Sequence, residues 1–177
     1  DIIFININED LGWGNGVMTG LKIASCDYVG WTHGDLQYDL NILNEVYDLL
    51  NDPQYPNENV LVKGRRKKRS FSEDFFTLTM SFIASIILCK KLYDINSQPN
   101  FFSRSILNLF ENTPKDLMLD LYLYYKVSTL KEKKILRLAV TQKKRLHGSS
   151  SWKKNFFSNY YLSLKQLIGI FKIRINN

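Results

Sequence analysis

The chain has 177 residues, enough for one domain with a real core, and its 45% hydrophobic and 23% charged content is globular rather than disordered. With 24 Lys and Arg against 17 Asp and Glu, the net charge of +7 points to an anionic partner: a nucleotide, a phospholipid surface or a nucleic acid. Cys26 and Cys89 lie in apolar contexts without metal-ligand spacing, which predicts buried, reduced thiols in a cytosolic compartment. No signal peptide or membrane span is legible. The longest apolar segment, Phe75 to Cys89, is broken by Thr77, Thr79, Ser81 and Ser85 and is shorter than the roughly 20 residues a span needs.

The chain opens on Asp1 and runs directly into Ile2-Ile3-Phe4-Ile5-Asn6-Ile7, which reads as an interior strand, so the expectation is that upstream sequence is missing. Gly12, Gly14 and Gly16 then predict a glycine-rich turn. Val17, Leu21 and Ala24 recur at helical spacing, and Asp27 to Thr32 follows as a short apolar strand. His33-Gly34-Asp35-Leu36-Gln37 closes this unit. In an extended segment positions 33, 35 and 37 point the same way, so these three side chains could converge on one ion. Asp35 could equally be a loop carboxylate or a helix cap.

Asp39 is placed to cap a helix through Leu50, with Leu43, Val46, Tyr47 and Leu50 on one face. Pro53 and Pro56 make 51–59 a loop, and Val60-Leu61-Val62 reads as a strand running into Gly64. Strand, helix, strand, helix, strand predicts an α/β fold with a mostly parallel sheet and right-handed crossovers. The run Lys63-Gly64-Arg65-Arg66-Lys67-Lys68-Arg69 reads as a solvated loop or a nucleic-acid patch, although no recognition module surrounds it. Ser70 and Glu73 form a capping-box pattern that opens a helix to about Leu92. That helix is either buried on most sides or lies at a membrane surface, flanked by Arg69 and Lys90-Lys91.

Asp94 sits in a turn before Phe101-Phe102-Ser103-Arg104, and a further helix is expected over 116–129. Asp116 and Asp120, four apart, share a helix face near its N-terminus, where the helix dipole alone would stabilise them. Leu136, Leu138 and Val140 alternate with Arg137, Ala139 and Thr141 as a strand with one apolar face. It feeds a Gly/Ser loop bearing Arg145, His147, Gly148 and Ser150, either a phosphate cradle or a flexible surface loop. The tail from Phe156 to Ile175 is an aromatic and basic amphipathic helix.

The segment from Gly12 to Gln37 resembles the core of family 2 glycosyltransferases, and is most similar to the polyprenyl-phosphate sugar transferases typified by dolichyl-phosphate mannosyltransferase. Their motif Asp-Ala-Asp-Leu-Gln is matched by Asp35 and Gln37, with His33 in place of the first aspartate. Gly64 and Arg66 match a Gly-Ser-Arg motif, Asp94 and Arg104 match an acidic turn before a Phe-rich strand, and Arg145, Gly148 and Ser150 match a C-terminal phosphate loop. Gln98-Pro99 replaces the more usual Ser-Gly.

The resemblance implies a GT-A-like domain over 1–154 without its first βα units, followed by a C-terminal helix over 155–177. It implies transfer of a sugar, with inversion, from a nucleoside diphosphate sugar to a polyprenyl phosphate or glycan at the cytoplasmic face of a membrane. A divalent ion, Mg²⁺ or Mn²⁺, would be held by Asp35, Gln37 and His33. Gly64, Arg66, Arg145 and Ser150 would meet phosphates, and Asp116 or Asp120 would be the base for a hydroxyl acceptor. The bland reading keeps both of those aspartates structural, and a phosphate acceptor needs no base because its oxygens are already ionised. The rival class is a non-catalytic basic domain that binds nucleic acid or an assembly partner through 63–69. Contact with a sugar nucleotide or membrane phosphate ranks above nucleic-acid binding.

Overall fold

The computed structural model describes residues 3–10, 12–35, 37–55, 59–143 and 156–176, with side chains of the last stretch described from 161 onward. Ten elements follow in order: α1 (Trp13–Ile23), β1 (Tyr28–Trp31), α2 (Ile42–Leu50), β2 (Val60–Lys67), α3 (Phe71–Leu88), β3 (Asn100–Ser103), a 3₁₀ turn (Arg104–Leu109), α4 (Leu119–Thr129), β4 (Lys134–Thr141) and α5 (Phe156–Ile175). The fold is α/β, with a four-stranded mixed sheet in the order β1-β3-β2-β4 flanked by helices. Among the described residues only β2 and β4 run parallel, from Val60 opposite Lys134 to Lys67 opposite Thr141. β3 lies antiparallel to both β1 and β2, so two of the three pairings run against the mostly parallel expectation.

The reversal has a local cause. The loop before β3 is tied to the middle of β2, where Gly64 N–H donates to Pro99 O (2.9 Å) and Lys63 Nζ to Ser97 O (2.8 Å). β3 therefore starts beside Lys63 and runs back along β2. Apolar periodicity gives a strand its faces but not its direction.

Each sheet face covers its own core. On one face Leu61, Phe102, Val29 and Trp31 pack with α1, α3, α4 and α5, whose Ile170 and Ile173 are buried there. On the other, Val60, Val62, Leu138 and Val140 pack on Ile42, Val46 and Leu50 of α2. α4 is buried almost all round, as a helix without a polar stripe must be.

Several local expectations are corrected. Residues 3–7 form no strand and are exposed, Phe4 at 92%, because β1 pairs only with β3 among the described residues. Gly14 and Gly16 lie inside α1, and only Gly12 takes a positive φ, 98°, where an added Cβ would sit 2.5 Å from Lys115 O. The basic run is strand through Lys67 rather than loop, because its residues continue the parallel ladder with β4. α3 stops at Leu88, since Cys89 turns left-handed (φ 52°) and donates to Ile86 O, while Lys90 donates to Ser85 O. Both cysteines are exposed free thiols, not buried ones.

Candidate functional site

The loop 92–99 gathers the polar chemistry. Asp94 is buried with a positive φ of 47°. Its Oδ2 accepts from Arg66 N–H (2.8 Å), and its Oδ1 accepts from Arg66 Nε (2.9 Å) and also from the terminal guanidinium nitrogen. Burial pushes the Asp94 carboxyl up, but the Arg66 hydrogen bonds and charge outweigh it and leave the pKa lowered. Gly64 lies beneath this loop: a Cβ there would fall on Gln98 O and against Ser97 Oγ, so only glycine allows the approach.

Below it lies a fully enclosed network. Lys63, with no exposed surface, donates to Ser97 O and to Asn100 Oδ1 (2.9 Å), and its Nζ stands 5.5 Å over the Tyr124 ring. Asn100 Nδ2 in turn donates to Asp120 Oδ1 (2.8 Å), which also accepts from Trp31 Nε1 (2.7 Å), while Asp120 Oδ2 accepts from Gln98 Nε2 (3.3 Å). Burial lowers the Lys63 pKa to about 7, against the opposing pull of Asp120. Burial likewise raises the Asp120 pKa despite Lys63, Trp31 and Gln98. Both groups move toward neutrality, so desolvation exceeds their mutual attraction. A neutral Lys63 amine has two N–H donors, and both have acceptors here.

Beside this network Arg137 is set on the same side of the sheet as Lys63, which it faces across the β2–β4 ladder. Its guanidinium lies 5.5 Å over Tyr124, and both terminal nitrogens are buried without a hydrogen-bond partner. Arg65 stacks 5.6 Å over Tyr93 nearby. Ser97 Oγ and Gln98 Oε1 are further buried atoms without partners. Buried unpaired donors and acceptors are uncommon and mark places where a ligand or water completes the bonding. A forked guanidinium with free N–H groups suits a phosphate or carboxylate.

Of the residues singled out from the sequence, Gly64, Arg66 and Asp94 meet at this loop, and Asp120 joins it through Gln98. The three residues expected to hold an ion follow β1 in one short segment, and each contacts protein groups there. Gly34 and Asp35 are bends rather than extended strand. His33 stacks on Tyr38 (centroids 5.4 Å apart). Asp35 Oδ1 accepts from Gln37 N–H (3.2 Å), and Gln37 Nε2 donates to Lys143 O (3.0 Å). Among the described residues no three His, Cys, Asp or Glu side chains gather as a metal site.

Asp116 and Asp120 are also separated. Asp116 precedes α4, accepts from Met118 N–H (3.0 Å) and pairs with Lys165 (3.4 Å), whereas Asp120 is 2% exposed. Asp116 faces a different feature, a cavity of about 600 Å³ lined by Gly12, Lys115, Tyr161, Lys165 and Lys172 among others. Arg145 and Ser150 lie outside the described residues.

Trp31, Lys63, Asn100, Tyr124 and Arg137 escaped sequence reasoning. A signal existed for two of them: once the strand is extended through Lys67, Lys63 falls on the same face as the core residue Leu61, with Arg137 opposite.

No family model matches the chain, and no curated protein does.

Proposed function

We propose that this chain is a glycosyltransferase domain of the family 2, GT-A-like kind. It transfers a sugar, with inversion, from a nucleoside diphosphate sugar to a polyprenyl phosphate or glycan. The observation that carries the reading is the meeting of Gly64 and Arg66, from one motif, with Asp94, from another, at one loop against β2. Asp94 fixes the Arg66 fork, while Arg137, beside Lys63 across the β2–β4 ladder, keeps two buried donors unengaged, a fork suited to a phosphate. The acceptor oxygen would form its bond to the anomeric carbon as the bond from that carbon to the diphosphate oxygen breaks, and the nucleoside diphosphate leaves.

A phosphate acceptor fits better than a hydroxyl. Asp120 is enclosed by three donors and Asp116 is paired with Lys165, so neither carboxylate stands free as a base. In this reading the divalent ion would be held by Asp35, Gln37 and His33, and no step is routed through it. The assignment of 1–154 as the transferase domain and 155–177 as an appended helix belongs to the same reading. Against the rival of a nucleic-acid patch, the 63–69 run is not one solvated surface: Lys63 is buried and Arg66 is paired with Asp94.

Calorimetric titration of UDP and GDP, with and without Mn²⁺, tests the proposal alongside transfer to a polyprenyl phosphate. Binding of a nucleoside diphosphate that Arg137→Met weakens by about tenfold is the expected result. No nucleotide binding, together with RNA binding that falls steeply with salt, would overturn it in favour of the rival.

A further inference from the structure

α3 and α5 pack against each other and each buries one face in the core. Their opposite faces are apolar and exposed. On α3, Phe71, Phe75, Leu78, Phe82 and Ile86 are between 50% and 87% exposed. Their spacing of four, three, four and four places them on one stripe, and Cys89 continues it, exposed at the helix end. On α5, Tyr161, Leu164, Ile168, Phe171 and Ile175 form a second stripe, between 44% and 79% exposed. Ten large apolar side chains on two adjoining helices exceed the scattered exposure that ordinary surfaces show.

We infer that the outer stripes of α3 and α5 together form a docking surface for an anionic lipid bilayer, with α3 lying in the plane of the interface. Charge selects this occupant. Exposed Lys67 and Lys68 precede α3, Lys91 follows it, and Lys172 and Arg174 flank the α5 stripe. From Lys67 to Lys91 only Glu73 and Asp74 are acidic, and α5 carries no acidic residue. Apolar stripes bordered by cations match acyl chains below anionic headgroups, whereas a second copy of a chain with net charge +7 would bring like charges together.

α3 is long and apolar enough to cross a membrane by length and composition. Thr77, Met80, Ser81, Ala84 and Leu88 nevertheless fix its inner face to the core, so it lies on the bilayer rather than through it. Docking would bring the start of α3 to the headgroups, with exposed Lys67 and Lys68 just before it near lipid phosphates. The inference stands on the exposed stripes and does not depend on the transferase reading.

The test is flotation of the full chain with phosphatidylcholine vesicles, with and without phosphatidylglycerol. Co-flotation with the anionic vesicles, weakened by salt, is expected. Phe75→Ser with Phe82→Ser on α3, and separately Phe171→Ser on α5, should each reduce partitioning by about tenfold or more. Circular dichroism should stay unchanged, since these side chains are outside the core. In a Cys26→Ser background, a dye on Cys89 should be quenched by nitroxide-bearing lipid. A chain that stays in solution with both vesicle types, or variants that bind as well as the parent, would overturn the inference. So would a dye shielded by concentration-dependent dimerisation without lipid.

Discussion

At the scale of single residues, the enclosed charges make distinct demands. Arg137 has two buried donors without partners, a cost to the folded state unless a ligand answers them. Arg137→Met should therefore raise the unfolding midpoint while weakening nucleoside diphosphate binding by about tenfold, the scale of one lost charge-assisted contact. A lower midpoint with unchanged binding would make Arg137 structural. Lys63 gives a pH signature. Its folded pKa of about 7 lies below the usual 10.5, so between these values the unfolded chain holds a proton that the folded one lacks. Stability should rise with pH across that window until Tyr38, its pKa raised to about 12 chiefly by burial, starts to lose stability above pH 10. Urea midpoints of Lys63→Met should lack the rise between pH 7 and 10. Asp120→Ala leaves three donors without their acceptor and should cost about 3–5 kcal/mol, measured by the same titration at neutral pH.

At the scale of elements, α3 is fixed at both ends by local chemistry. Ser70 Oγ accepts from Glu73 N–H (3.4 Å), and the Glu73 carboxylate accepts from Ser70 N–H (3.2 Å), a reciprocal cap. Ser70→Ala should cost roughly 1 kcal/mol, seen as a lower denaturant midpoint with no change in vesicle binding. β2 is held more tightly. A methyl at Gly64 meets loop backbone rather than a flexible side chain, so the strand or the 92–99 loop must shift. Gly64→Ala should cost about 3 kcal/mol and loosen the Arg66–Asp94 pair with it, which thermal unfolding and nucleotide titration together would register.

At the scale of the whole molecule, β2 carries both cores, with Leu61 on one face and Val60 and Val62 on the other. The two sides should therefore unfold together. Val46→Ala, in the α2 core, should lower the midpoint read by tryptophan fluorescence by as much as the far-UV midpoint, although Trp31 lies across the sheet. Separated midpoints would show that the cores are independent.

The sequence by itself determined the elements whose pattern is local. The capping box named the start of α3 and alternation over 136–140 gave β4 its apolar face, but of the face expected on α2 only Val46 and Leu50 are buried, with Ile42, while Leu43 and Tyr47 are exposed. It also placed Gly64, Arg66 and Asp94 as residues of interest, because their motifs are short and contiguous. The tertiary structure alone decided the direction of β3, the burial of Lys63 and Arg137, and the partner of the Gln37 side chain. Each of these depends on a neighbour far along the chain: the 92–99 loop on β2, α4 over the Lys63 side of the sheet, Lys143 against Gln37. Periodicity records which side of an element is apolar, but not what comes to lie against it. For the same reason the sequence left α3 poised between core and membrane surface, and only the packing of α5 beside it showed which face is covered and which is open.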